Sequence, residues 1–445
     1  MTHLRTSLSG LALGLAVLTP AWSLDLLQAY QTALAQDPTV RAARAAADAG
    51  RERLPQARAQ LLPNLSYSSL RNMNDLDRRQ PNTVGLPTTV HDRYNSNNET
   101  LTLRQPLFRP GLHANYQQAG SLVDDANAVL ERELKNLGMR VTGAYLEVLL
   151  AMDQLELVRA QITFTTAQLD MARKTFAAGS GTRTDIDEAQ SRLDMARAQE
   201  LEARQQLDFT RRQLQVLISE PVDKLAPLDV KRMPLRNPDP VLLEDWTRMA
   251  EEKSPEILSL KARVEAARAE VTKAQSGHYP TVDAVAQLIN SVSENPNTPS
   301  TGYTNKTIGL QIMVPIYAGG YVNSQVRQAL ANQEQAKEEL EAARLDLGVR
   351  VHKEFRGVTE GVLRVKALEQ AVRSAEQLLL STRKSFEAGS RTLTDILNTE
   401  QQRQVALRDL AQARYLYLNS RVRLQALAGG DAQQAISETN AWLMN

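Results

Sequence analysis

An eleven-residue phrase occurs twice in this chain, and it constrains the fold more than any other feature. Phe176 to Ile186 (FAAGSGTRTDI) returns as Phe386 to Ile396 (FEAGSRTLTDI), an offset of 210, with eight of the eleven positions identical. The flanks repeat as well. Asp37-Pro38 is followed 25 residues later by Pro63, and Ser254-Pro255 is followed 25 later by Pro280. Pro106-Leu107-Phe108 is echoed by Pro315-Ile316-Tyr317. Two tandem halves follow, since a repeat at a fixed period is the signature of duplicated structural units. The halves span 24–220 and 241–428. They are joined by a linker at 221–240 that holds five prolines, and followed by a tail at 429–445.

Each half reads as the same order of elements. A helix opened by a proline comes first, over Thr39 to Leu61 and again over Glu256 to Gly277. Two short strands follow, then a very long helix, the Gly-Ser turn and a last helix. Leu155, Val158, Ile162, Thr165, Leu169, Ala172 and Phe176 step by three and four, as do Leu368, Val372, Ala375, Leu379, Thr382 and Phe386. That heptad seam calls for coiled-coil partners. A helix from Gly111 to Ala177 is roughly 100 Å long at 1.5 Å per residue, so it lies in an extended bundle and not around a globular core. Only 4% of residues are aromatic, which suits such a bundle.

The strands are expected at about 64–71, 98–107, 281–291 and 306–316. Ile308, Leu310, Ile312, Val314 and Ile316 alternate with Thr307, Gly309 and Gln311. Asn72 to Asn97 and Glu294 to Asn305, rich in Asn, Pro, Thr and Ser, are expected as exposed loops. Each strand approaches the 9–11 residues that a tilted membrane strand requires. Four strands cannot close a membrane barrel, however, and lipid does not tolerate an open edge. Closure by symmetry resolves the conflict, because three copies supply twelve strands.

An export route agrees with this. Arg5, the apolar run Leu8 to Leu18 and Ala21-Trp22-Ser23 read as a signal peptide over 1–23, leaving Leu24 as the mature start. The chain has no cysteine, which excludes disulfides, thiolate metal sites and a lipid-bearing cysteine. A net charge of +1 does not suggest nucleic acid as a partner. His3, His91, His113, His278 and His352 are scattered, and neither a phosphate loop nor a nucleophile elbow is present, so we expect neither an enzyme nor a cofactor or metal site.

The two Gly-Ser-x-Thr-x-Thr-Asp-Ile turns, the Ala33-to-Pro38 opening (ALAQDP) and the two proline-to-strand junctions together resemble the TolC outer-membrane efflux family over essentially the whole mature chain. The resemblance implies a mainly α fold with membrane β. In it a homotrimer forms a twelve-stranded barrel in the outer membrane of a Gram-negative bacterium, and a helical tunnel projects into the periplasm. It implies a periplasmic adaptor and an inner-membrane ABC or other pump as partners. The duct would be passive, most in keeping with type I protein secretion; the alternatives are efflux of drugs and small solutes or, from another class, a periplasmic coiled-coil scaffold.

In the family the tunnel closes near the Gly-Ser turns. Its aperture residues match Gln168, Thr184 and Asp185 in the first half and Arg391, Asp395 and Arg414 in the second. A second aperture acid falls on Asn398, a latch tyrosine on Phe386 and an acidic latch partner on Arg383, so a different closed-state network is expected. The tips Gly179, Ser180, Thr182, Gly389, Ser390 and Thr392 are expected to meet the adaptor. Each of these also suits a plainer role as helix C-cap or N-cap, and Asp185 and Asp395 suit the positive end of a helix.

Overall fold

A computed structural model describes residues 23–81, 83–294 and 301–444. All but the last residue of the expected signal peptide, and part of the expected 294–305 loop, lie outside the described residues. The chain opens with α1 (Leu26–Gln36), α2 (Pro38–Arg51) and α3 (Arg53–Ala59). The hairpin β1 (Asn64–Pro81) and β2 (Pro87–Phe108) follows, then α4 (Pro110–Ala177) and α5 (Arg183–Ile218). The second half repeats the order with α6 (Leu243–Lys253), α7 (Pro255–Gln275), β3 (Thr281–Val292), β4 (Gly302–Met313), α8 (Tyr321–Glu387) and α9 (Leu393–Leu427), and α10 (Ala432–Asn440) closes it.

The proline-opened helix is the second of each half and not the first as expected, since α1 and α6 precede it: α2 starts at Pro38 and α7 at Pro255, where a missing N–H costs nothing. The single helix expected over Thr39 to Leu61 is two. Pro55 cannot accept the helix inside its first turns, because its ring collides with the carbonyl four residues back, at Arg51, where α2 ends. The long helices α4 and α8 run 68 and 67 residues and fold back on α5 and α9. Leu169, Ala189 and Leu193 fill the first of these coiled coils, and Val365, Val372, Leu410 and Ala413 the second.

Midway along the bundle the packing thickens into one large core. Leu137, Val141, Tyr145 and Leu149 of α4 meet Leu26 of α1, Leu347 and Val358 of α8, Leu418 of α9 and Ile436 of α10. The 221–240 segment carries no helix or strand, yet it is held firmly. Leu225 bridges Leu24, Leu228 bridges Leu443, and the Tyr145 hydroxyl lies 2.9 and 3.0 Å from the carbonyl oxygens of Leu24 and Ala226. The phenol's single proton is shared between two backbone carbonyls of a buried segment that has no regular ladder, and the Leu24 carbonyl also accepts the Ala226 N–H at 3.1 Å.

The strands form one antiparallel sheet in the order β1-β2-β3-β4, so the hairpins of the two halves join through β2 and β3. Rows across the sheet alternate in character. Leu65, Leu103, Ala286 and Ile308 stand in one register row, and Ser66, Thr102, Gln287 and Thr307 in the next. Among the described residues nothing covers the apolar face: Ile308 is 89% exposed, Leu310 67% and Leu65 65%. Both β1 and β4 present an edge that is unpaired among the described residues.

The expected loop at Asn72 to Asn97 is not a loop. β1 and β2 stay paired from Asn64↔Arg104 to Pro81↔Pro87, ten residues past the last pairing of β2 with β3 at Asn97↔Val292. The extension is a two-stranded ribbon roughly 33 Å long at 3.3 Å per residue. Charge pairs across the strands hold it: Arg78–Asp92 at 2.9 Å, Arg93–Asp75 at 3.0 Å and His91–Asp77 at 2.7 Å. β4 also differs from expectation, starting at Gly302 and ending at Met313, before Pro315, which has no N–H to give a ladder.

Candidate functional site

At the far end of the bundle from the strands, α4 turns into α5 and α8 into α9, and the two turns have the same backbone. Gly179 and Gly389 both sit at φ +77°, a conformation in which a Cβ is strained. Ser180 N–H donates to the Thr175 carbonyl at 3.0 Å, and Ser390 N–H to the Ser385 carbonyl at 2.9 Å. Both helices thereby end with their last carbonyls satisfied. Thr182 and Thr392 then cap the following helices. Among the expected tip residues, Gly179, Ser180, Thr182, Gly389, Ser390 and Thr392 thus all take part in closing the turns.

The aspartates complete capping boxes. Thr182 N–H and hydroxyl donate to Asp185 Oδ2 at 3.0 and 2.7 Å, and Asp185 N–H returns a bond to the Thr182 hydroxyl at 3.2 Å. Asp395 repeats this with Thr392 at 2.9, 2.9 and 3.3 Å. Arg391 adds an ion pair to Asp395 at 3.5 Å. The Thr392 N–H, then its hydroxyl, then Arg391 hold the Asp395 carboxyl below the usual carboxylate range. Thr184 lies exposed beside Asp185.

Two sets of contacts tie the hairpins together. The first is apolar: Ala172, Leu393 and Leu397 pack with Phe164, Ile186 and Phe386, and Arg383 stacks 5.1 Å from the centre of the Phe164 ring. Phe386 and Arg383, at the positions expected to depart from the family's latch, both make packing contacts here. The second set is polar. Arg192 donates to Asn398 at 2.7 Å and to Gln401 at 2.8 Å, pairs with Glu188 at 3.0 Å, and Thr394 donates to Glu188 at 2.7 Å. Sequence reasoning missed Glu188 and Arg192. Their signal was there as an asymmetry, since the second half carries Asn398 and Gln402 at the corresponding positions.

Gln168 and Arg414 stand apart from the turns. Arg414 lies 19 residues along α9 from Asp395, about 28 Å at 1.5 Å per residue, and pairs with Glu369 of the same chain at 3.1 Å. Gln168 is half-buried on α4, and its side-chain oxygen has no hydrogen-bond partner. Neither belongs to the cluster that joins the hairpins. No group of His, Cys, Asp and Glu with metal-holding geometry occurs among the described residues, and no helix there is long and apolar enough to cross a membrane.

The profile described as "Outer membrane efflux protein" matches residues 29–220 and 246–430, one stretch in each half. The alkaline protease secretion protein AprF of Pseudomonas aeruginosa is 35% identical over 433 residues, spanning 96% of this chain and 89% of that protein. The proteases secretion protein PrtF of Dickeya chrysanthemi is 31% identical over 427 residues, with 96% and 92% covered. The outer membrane protein TolC of Escherichia coli is 29% identical over 428 residues, with 94% and 84% covered. In fold, the chain is similar to the crystal structure of CusC (TM-score 0.80, 15% identity, 92% and 93% covered) and to that of the outer membrane protein VceC of Vibrio cholerae (0.77, 20%, 91% and 96%).

Proposed function

Because the chain belongs to the outer membrane efflux protein family, we propose that it is the exit duct of a type I secretion system and works as a homotrimer. The observation that carries this is the open sheet. Four strands with two free edges and an uncovered apolar face are incompatible with lipid unless further copies close them. Three copies pair β4 of one with β1 of the next and give a twelve-stranded barrel with the apolar face toward lipid. Its polar face then lines the lumen. Below it, twelve helical strands make a tunnel in the periplasm. Exposed apolar side chains on the long helices supply the seams between copies: Met195, Phe209 and Val216 on α5, and Leu345, Val349 and Leu363 on α8.

Secretion of a protein, a protease by kinship with AprF and PrtF, is the reading we favour over small-solute efflux. Both of those relatives match at more than 30% identity along nearly the whole chain. A passive duct has no catalytic step. An inner-membrane pump drives the cargo and an adaptor seats the tips at Gly179–Thr182 and Gly389–Thr392, where the closed end is gated by the inter-hairpin contacts of Arg192 with Asn398 and Gln401, beside the capped Asp185 and Asp395. The test has two parts. Detergent-solubilised protein should have a mass about three times that of one 49.3 kDa chain, less its leader, and should conduct ions in a planar bilayer. Expressed in a cell whose own duct has been deleted, it should restore a secreted protease to the medium. A monomer without channels rejects the duct, and conduction with no rescue of protein export rejects the cargo.

A further inference from the structure

We propose that Arg104, backed by Arg109 and Asp283, forms a positively charged ring at the base of the barrel that holds carboxylate groups of a passing polypeptide. The inference rests on the trimeric duct described above and adds a binding site to its lumen. On the polar face of the four paired strands the residues are Asn, Ser, Thr, Gln, Tyr, Gly and a few aliphatics; Arg104 and Asp283 are its two charged residues. They sit together at the end nearest the helices, since β2 stops at Phe108 and α4 starts at Pro110.

Within this cluster the charges do not cancel. Asp283, with 3% of its side chain exposed, accepts from Arg109 through both oxygens, at 2.8 and 2.5 Å. The bidentate pair uses up the carboxylate. Arg104 approaches the same group only at 3.5 Å. One acid thus faces two guanidiniums, and each chain keeps one net positive charge. Arg104 is 47% exposed and is steadied by a 2.9 Å bond to Gln311 two strands away. A guanidinium has five N–H donors, so most of those on Arg104 remain free for a ligand. Threefold symmetry makes a ring of such groups, the arrangement that favours anions in pores. Its field extends about 8 Å at physiological salt, enough to act on side chains passing close to the wall.

The probe is hexaglutamate peptide, added to a single channel in a planar bilayer from the side of the barrel mouth. It should block the current in resolved events, whereas hexalysine should not. Arg104→Gln should shorten the dwell time roughly tenfold, and Arg104→Lys should keep most of it. In the unaltered protein, raising salt from about 0.15 M to about 1 M should also shorten the dwell, because screening weakens the ring. Salt-independent dwell times, equal dwell in Arg104→Gln, or longer block by hexalysine would overturn the site while leaving the duct intact. Wild-type protein that gives no channels at all takes down both the ring and the reading beneath it.

Discussion

The two helical turns share a backbone and part company in their side chains. In the first, α5 starts with Arg183 and Asp187, exposed and ion-paired to each other at 3.1 Å. In the second, the corresponding positions at the start of α9 are Leu393 and Leu397, buried against Ala172. Phe176 is 45% exposed, whereas its counterpart Phe386 is half-buried. Duplication therefore supplied one capped turn twice, and substitution gave the copies different neighbours. The first tip is solvated and the second is packed inward. The caps fix local geometry, while the interior of the helix pair decides which hairpin holds the other.

That contrast can be broken in several ways. The largest effect should come from Leu397→Ala, which removes a buried side chain at a cost of about 2–4 kcal/mol and should speed hydrogen exchange along the start of α9. Asp187→Ala at the matching place should leave exchange in α5 nearly unchanged; similar losses in both would erase the distinction. Next, Arg192→Ala and Asn398→Ala, combined in a double-mutant cycle, should show a coupling of about 1 kcal/mol in tip stability. Additive effects would mean that the polar link contributes nothing.

Smaller effects should sharpen what the copies share. Thr182→Ala and Thr392→Ala should each destabilise the following helix by about 1 kcal/mol, and by equal amounts, because their capping boxes are alike. A twofold difference by hydrogen exchange would show that the caps are not equivalent. Smallest is the response to acid. The folded pKa of Asp395 is lowered from 3.8, so its contribution to capping is complete above that value and fades as pH falls through the folded pKa. An NMR titration that puts Asp395 above 3.8 would contradict the geometry.

Much of this was legible in the residues. The repeat located both turns, the heptads gave the long helices, and the Gly-Ser-x-Thr phrase placed a helix cap at each turn, though not the reciprocal Thr–Asp capping boxes. The ribbon was hidden because residues 72–97 carry no apolar alternation. Their strand character comes from charges such as Arg78 and Asp92, which stabilise a ladder only after the register has brought them opposite each other. Arg192 was hidden for a related reason. A helix surface holds many arginines, and which of them spans to the neighbouring hairpin depends on how the two coiled coils are rotated. The broken symmetry at Glu188/Asn398 and Arg192/Gln402 was the available clue, since positions that diverge between duplicates mark where the duplicates face different surroundings.

The free edges of β1 and β4 have a consequence for biogenesis. Until sisters arrive, every newly exported chain travels with two rows of unsatisfied amides and an oily sheet, which is the form of surface that templates misassociation. In the trimer proposed above, insertion into the bilayer is then expected to be coupled to oligomerisation, and the hazardous interval to be set by how fast three molecules meet. Overproduction should raise aggregate as well as product, unless periplasmic chaperones hold the lone chain apart during transit.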